Sequence, residues 1–171
     1  NRARTPEEWN GVIGELQEYA SKTRLGIPIV YGLDGIHGAT YIAGATMFPQ
    51  QITVAASWNP KNAFEMARIA AYDTKASSVP WNFSPVLDLG LDARFPRQFE
   101  TFGEDPYLAS QLGEQAILGY QGAENDISTP YTLAACMKHF MGYQITRTGK
   151  DRTPAYIPEH QLRELHLPSF Q

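Results

Sequence analysis

A chain of 171 residues with 43% hydrophobic side chains is long enough for one ordinary core, and so for one domain or part of one. Its 14 Lys and Arg against 18 Asp and Glu leave a formal charge of -4 and a pI near 5.5, which excludes a broad basic surface and with it nucleic acid as a partner. The lone Cys136 excludes an internal disulfide and a multi-cysteine metal site, and no run of about 18 apolar residues offers a helical membrane span.

Thr5-Pro6-Glu7-Glu8 predicts a helix start, with Thr5 as N-cap, Pro6 at the first helical position and Glu8 closing a capping box. Trp9, Val12, Ile13, Leu16 and Tyr19 then share one helical face. Beyond the break at Gly26, residues 27–33 form a continuous apolar run that reads as a fully buried parallel strand. Asp34 follows immediately on the permissive backbone of Gly35 and Gly38, as a ligand-facing carboxylate or as a cap for the next turn. Asn59-Pro60 opens a second helix with Phe64, Ala67, Ala70 and Ala71 inward and Pro80 as its stop. A strand is expected over 81–86.

The stretch 80–106 runs from that strand into a loop dense in charge: Asp88, Asp92, Arg94, Arg97, Glu100, Glu104 and Asp105. Loops at the carboxyl ends of strands are where α/β folds hold ligands. The density is therefore a functional-site candidate, or equally a solvated connection laced with surface ion pairs. Asp105-Pro106 opens a third helix, in which Leu108, Leu112, Ala116 and Tyr120 recur every four residues up to Gly122. Residues 133–140 read as another buried strand, with Cys136 packed as a small hydrophobe and Lys138 and His139 near its end. Neighbours on a strand point to opposite faces, so only one of that pair enters a barrel interior unless the backbone departs from ideal pleating. The plain alternatives are an ion pair to a neighbouring helix for Lys138 and a satisfied core histidine for His139. A charged loop at 149–154 precedes a last helix from Pro158-Glu159, on which His160 and His166 read as surface or interface positions. The four histidines show no HExxH-like pairing, so no metal is expected.

Apolar strand, loop and helix, repeated without hairpin signals, predict three β/α units around a parallel sheet. A closed eight-stranded barrel needs about 250 residues. The expectation is thus an open sheet or, given the abrupt start and finish, a piece of a larger protein.

The stretches YGLDGIHGATYIAGATMFPQ, SPVLDLGLDARFPRQFETFGEDPYLASQLGEQAILGYQG and AACMKHFMGY together resemble the N-terminal barrel domain of glycoside hydrolase family 3, in order and spacing over roughly residues 23 to 171. Within it they are most similar to bacterial β-glucosidases. The run from Lys138 to Tyr143 departs from the N-acetylglucosaminidase branch, whose Lys-His motif continues with Pro-Gly-His or Pro-Gly-Asp. The resemblance implies an α/β fold, a partial (β/α)8 TIM-type barrel comprising only the first few β/α units, with residues 1–171 as its N-terminal part. It implies a retaining, exo-acting β-glucosidase that releases terminal β-linked glucose, without a cofactor. By the resemblance Asp34, Arg97, Lys138 and His139 bind the sugar, the Lys-His pair being held in strained backbone geometry so that both face it. The Asp nucleophile would lie on a later strand and the acid on a C-terminal domain, leaving this chain no catalytic residue of its own. The partners implied are a β-glucoside or oligosaccharide and the remainder of the same enzyme; the location is periplasmic or secreted. Ala93 and Phe95-Pro96 stand where Pro and Trp-Gly are commonest in the family; Arg94 is expected to tie the loop to Asp88 or Asp92, and Glu100 to orient Arg97. Two further readings stay open: a non-catalytic sugar-binding homologue, and an ordinary α/β domain in which Arg97, Lys138 and His139 are ion-pair partners.

Overall fold

The computed structural model describes residues 3–171. In chain order its main elements are α1 (Pro6–Ser21), β1 (Gly32–Leu33), α2 (Gln51–Ala55), α3 (Pro60–Lys75), β2 (Trp81–Asn82), α4 (Pro106–Gln121) and α5 (Glu159–Gln161). The three long helices start as their sequences predict. Each has Pro in its first turn, behind a side chain that accepts an orphan backbone N–H: Thr5 from Glu8, Asn59 from Lys61 and Asp105 from Leu108. Gly122, at φ 77°, closes α4.

β1 and β2 are parallel, with Gly32 opposite Trp81 and Leu33 opposite Asn82. On the other side of β2 the segment 134–138 runs parallel through bridges at Trp81–Ala134 and Val86–Lys138. Its backbone bonds include Asn82 N to Ala134 O at 2.9 Å and Leu87 N to Lys138 O at 2.7 Å. Formal strands are short because side chains take over the ladder. The Gln51 amide, fully buried, donates to Val86 O at 3.0 Å and accepts from Val86 N at 3.1 Å. Asn82 does the same for Gly35, both bonds at 2.8 Å. The Tyr120 hydroxyl reaches Ser84 Oγ at 3.1 Å, and burial pushes its pKa up to about 12, so it stays a neutral donor.

The main core lies between the α3–α4 pair and the strand residues Leu87, Leu89 and Leu133. Small residues, including Ala63, Ala67, Ala70, Ala109 and Ala116, let the two helices approach closely. A smaller core joins Trp9 and Ile13 of α1 to Leu33, Ile42 and Val79. Among the described residues no helix is long and apolar enough to cross a membrane.

Several expectations need correction. Residues 27–31 are not a buried strand: Ile27 and Val30 are each 65% exposed. There the Gln17 side chain, rather than another strand, holds Ile29, accepting from its N–H at 3.0 Å and donating to its carbonyl at 2.6 Å. Tyr19 is exposed and Ala20 buried, since a pitch of 3.6 residues brings position 20 back beneath Trp9 and Ile13. Met137 and Phe140 are exposed and Cys136 is half-buried, so the 133–140 run buries fully only Leu133. Antiparallel bridges at Gly38–Met47 and Thr146–Ala155 close two loops where no hairpin was expected.

His166 is buried, not a surface residue, because α5 continues as a π-type turn over Leu162–His166 and a 3-10 turn over Pro168–Phe170 that fold back inward. Ser169 Oγ donates there to Leu87 O at 2.9 Å. Burial lowers the imidazole pKa, against an opposing pull from the Asp88 carboxylate. With a lowered folded pKa, the unfolded chain binds the proton that the folded one refuses, so stability falls as pH drops below about 6.5. His166→Gln is expected to flatten the fall of the thermal midpoint between pH about 7 and about 5; an unaltered slope would show that His166 does not contribute to it.

Candidate functional site

Parallel alignment of three segments delivers their carboxyl ends to one edge. Asp34 follows β1, Asp88 lies just beyond the Val86 bridge, and Lys138 and His139 end the third segment. The loop after Asp88 folds through a 3-10 turn at Gln98–Glu100, with Arg97 as the residue before it.

Lys138 Nζ donates to Asp34 Oδ1, with the lysine side chain 12% and the aspartate 43% exposed. The partner is thus the end of β1, across β2, not a helix. An ammonium has three donors and Asp34 takes one. The Lys138–His139 peptide is cis, as is Phe140–Met141. His139 turns to the buried Asp88, whose Oδ2 accepts from the His139 backbone N–H at 3.0 Å and lies 2.6 Å from Nδ1. Its Nε2 lies 3.4 Å from Arg97 Nη1. A carboxylate only accepts and a guanidinium only donates, so these partners select a neutral imidazole with its proton on Nδ1.

Glu100 grips Arg97 in two parallel bonds, Nε to Oε1 at 3.0 Å and Nη2 to Oε2 at 2.7 Å. That pairing raises the Arg97 pKa beyond its already high value and orients the guanidinium, as expected for Glu100. Arg94 ties to Asp92 rather than Asp88, and its hydrogen bonds bring the Asp92 carboxyl down to about 2. Arg94 is exposed and Asp92 half-buried, so this pair shapes the loop more than it stabilises it.

The four residues singled out for binding therefore form two linked pairs, Asp34 with Lys138 and Arg97 with His139, joined by the Lys138–His139 peptide. A cleft of about 230 Å³ opens beside Asp34, lined also by His37, Tyr41, Gln50 and Glu100 and by none of the other three. A larger one of about 560 Å³ lies between α4 and the C-terminal turn and is lined by none of the four. Four carboxylates of the cluster already engage a cationic or imidazole partner: Asp34 with Lys138, Asp88 with His139, Asp92 with Arg94 and Glu100 with Arg97. That suits donors and acceptors for hydroxyl groups better than an acid or a nucleophile. No three His, Cys, Asp or Glu side chains among the described residues gather as a metal site.

Sequence reasoning missed two features. Asp88 holds His139 from beneath, and the available signal was its position just past a strand end, as for Asp34. Tyr143 lies on the other side of Arg97: it takes a hydrogen bond from Nη1 at 3.2 Å and donates one to Asp151.

The family model described as "Glycosyl hydrolase family 3 N terminal domain" matches residues 2–171. A lysosomal β-glucosidase from Dictyostelium discoideum is 47% identical over 147 residues, 84% of this chain and 18% of the relative. A β-xylosidase from Formosa agariphila is 35% identical over 160 residues, covering 91% and 22% of the two chains. A solved β-glucosidase involved in saponin metabolism from intestinal bacteria superposes with a TM-score of 0.87 at 38% identity, over 98% of this chain and 22% of that one. The chain spans about a fifth of the length of these relatives.

Proposed function

Because the chain belongs to glycosyl hydrolase family 3, as the N-terminal domain of that family, we propose that it is the first part of a partial (β/α)8 barrel within a longer retaining, exo-acting β-glucosidase. In this reading Asp34, Arg97, Lys138 and His139 bind a terminal β-linked glucose. The nucleophile and the acid come from later segments, which must bring two carboxyl groups to about 5 Å from each other for retention. The observation that carries the reading is the convergence of the Asp34–Lys138 and Arg97–His139 pairs at one strand edge. Charged donors and acceptors held this way bind sugar hydroxyls more strongly than neutral ones, and such bonds accelerate the reaction where they tighten in an oxocarbenium-like transition state. The relative named β-xylosidase favours a second reading, in which the sugar lacks the exocyclic hydroxymethyl group.

Both are tested on the full-length protein with 4-nitrophenyl β-D-glucopyranoside and the matching xyloside, following the first-formed anomer by proton NMR. Faster glucoside cleavage with the β-anomer appearing first is expected. The α-anomer first would overturn retention, and binding without turnover would leave a non-catalytic sugar-binding protein.

A further inference from the structure

Arg97 carries five N–H donors. Four are committed within the protein: Nε and one of Nη2 to Glu100, and the two of Nη1 to Tyr143 and His139. One Nη2 donor remains for a ligand. Its direction is set by how the guanidinium plane is held, and Tyr143 holds the side opposite Glu100.

Tyr143 is built for that. Its ring lies against His139 with centroids 4.2 Å apart, and Phe95 packs edge-on to it at 5.3 Å. The hydroxyl accepts from Arg97 and gives its only proton to Asp151, on the loop closed by the Thr146–Ala155 bridge. Burial raises the phenol pKa, while the Tyr143 bond lowers that of Asp151, so phenol and carboxylate keep these roles. The bonds thus run one way, from guanidinium to phenol to carboxylate.

We propose that Tyr143 is a positioning residue of the sugar site: its hydroxyl, anchored by Asp151, and its ring together fix Arg97 and His139 relative to each other and aim the remaining Arg97 donor at the sugar. The inference rests on the binding role proposed above for Arg97 and His139. It assigns the loop after Lys138-His139 a part in affinity without contact with the ligand.

The test uses full-length wild type, Tyr143→Phe, Asp151→Asn and the double variant. It measures KM and kcat on 4-nitrophenyl β-D-glucopyranoside, glucose affinity by calorimetry, thermal unfolding, and the crystal structure of Tyr143→Phe. Losing a hydrogen bond to a charged group predicts about a tenfold weaker glucose affinity and a similar rise in KM for Tyr143→Phe. Asp151→Asn should do less, because an amide oxygen still accepts the phenol proton. The double variant should match Tyr143→Phe, because Asp151 acts only through the phenol. In the crystal, Arg97 Nη1 should have left its place between positions 139 and 143. A wild type that cleaves the glucoside beside a Tyr143→Phe variant with unchanged KM and affinity, or with only a lower unfolding temperature, overturns the inference alone. So does an additive double variant. A wild type that neither cleaves the glucoside nor binds glucose overturns the proposed function, and the inference with it.

Discussion

Asp34→Ala is expected to lower kcat/KM for a β-glucoside by roughly 10²- to 10⁴-fold. A carboxylate at a sugar site accepts two hydroxyl bonds, and bonds to a charged group contribute about 1.5–3 kcal/mol each. Together they amount to roughly 3–6 kcal/mol, at about 1.4 kcal/mol per decade. The same substitution strips Lys138 of its counter-charge while the ammonium stays largely covered. Breaking a buried pair costs about 3–5 kcal/mol. Asp34 is nearly half open to water, so the stability loss should fall well below that range. The two effects separate the readings. On the sugar-binding reading the loss in kcat/KM far exceeds the change in unfolding free energy, whereas an ordinary ion-pair role would lower the melting temperature and leave kcat/KM near wild type. Asp34→Asn supplies the control: it keeps an acceptor and removes the charge, so it should fall between the two.

Helix starts were legible because capping is a local event. Thr5, Asn59 and Asp105 each act within three residues of themselves, and the sequence shows them plainly. The four-residue spacing of Leu112, Ala116 and Tyr120 survived for the same reason. Strands fared worse because their burial depends on neighbours distant in sequence. The apolar run 27–33 has the composition of a buried strand, yet the side facing Gln17 has a glutamine side chain where a strand was expected. Position at strand ends singled out Asp34, Lys138 and His139 without deciding what they do; the sugar-binding expectation, and Arg97 with it, came from the family resemblance. The contacts of Asp88 with His139 and of Tyr143 with Arg97 were not legible, because contacts between residues 51 and 46 positions apart leave no local pattern in the sequence. His166 was misread because one turn of π-type geometry changes which face of the last helix is covered.

Gly119→Ala is expected to destabilise the protein by about 1–3 kcal/mol, although in isolation an alanine favours the helix by about 1 kcal/mol. A Cβ at Gly119 would sit against the backbone carbonyl of Phe64, 2.8 Å from the Ala67 Cβ and 3.0 Å from the Arg68 backbone nitrogen. Backbone atoms of α3 cannot rotate away as a side chain does. The α3–α4 pair would have to part, loosening Ala67, Ala116 and Tyr120 in the main core. Tyr120 in turn bonds Ser84, just ahead of the strand end that carries Asp88, so the looseness should reach the site as well as the melting temperature. Gly14→Ala, on the exposed face of α1 with nothing within 4 Å of the new methyl group, should instead stabilise by about 0.5–1 kcal/mol. The same substitution with opposite signs at two helical positions, read from denaturant melts of the full-length protein, would assign the cost to helix–helix contact. A stabilised Gly119→Ala would mean that α3 and α4 do not pack this closely in solution.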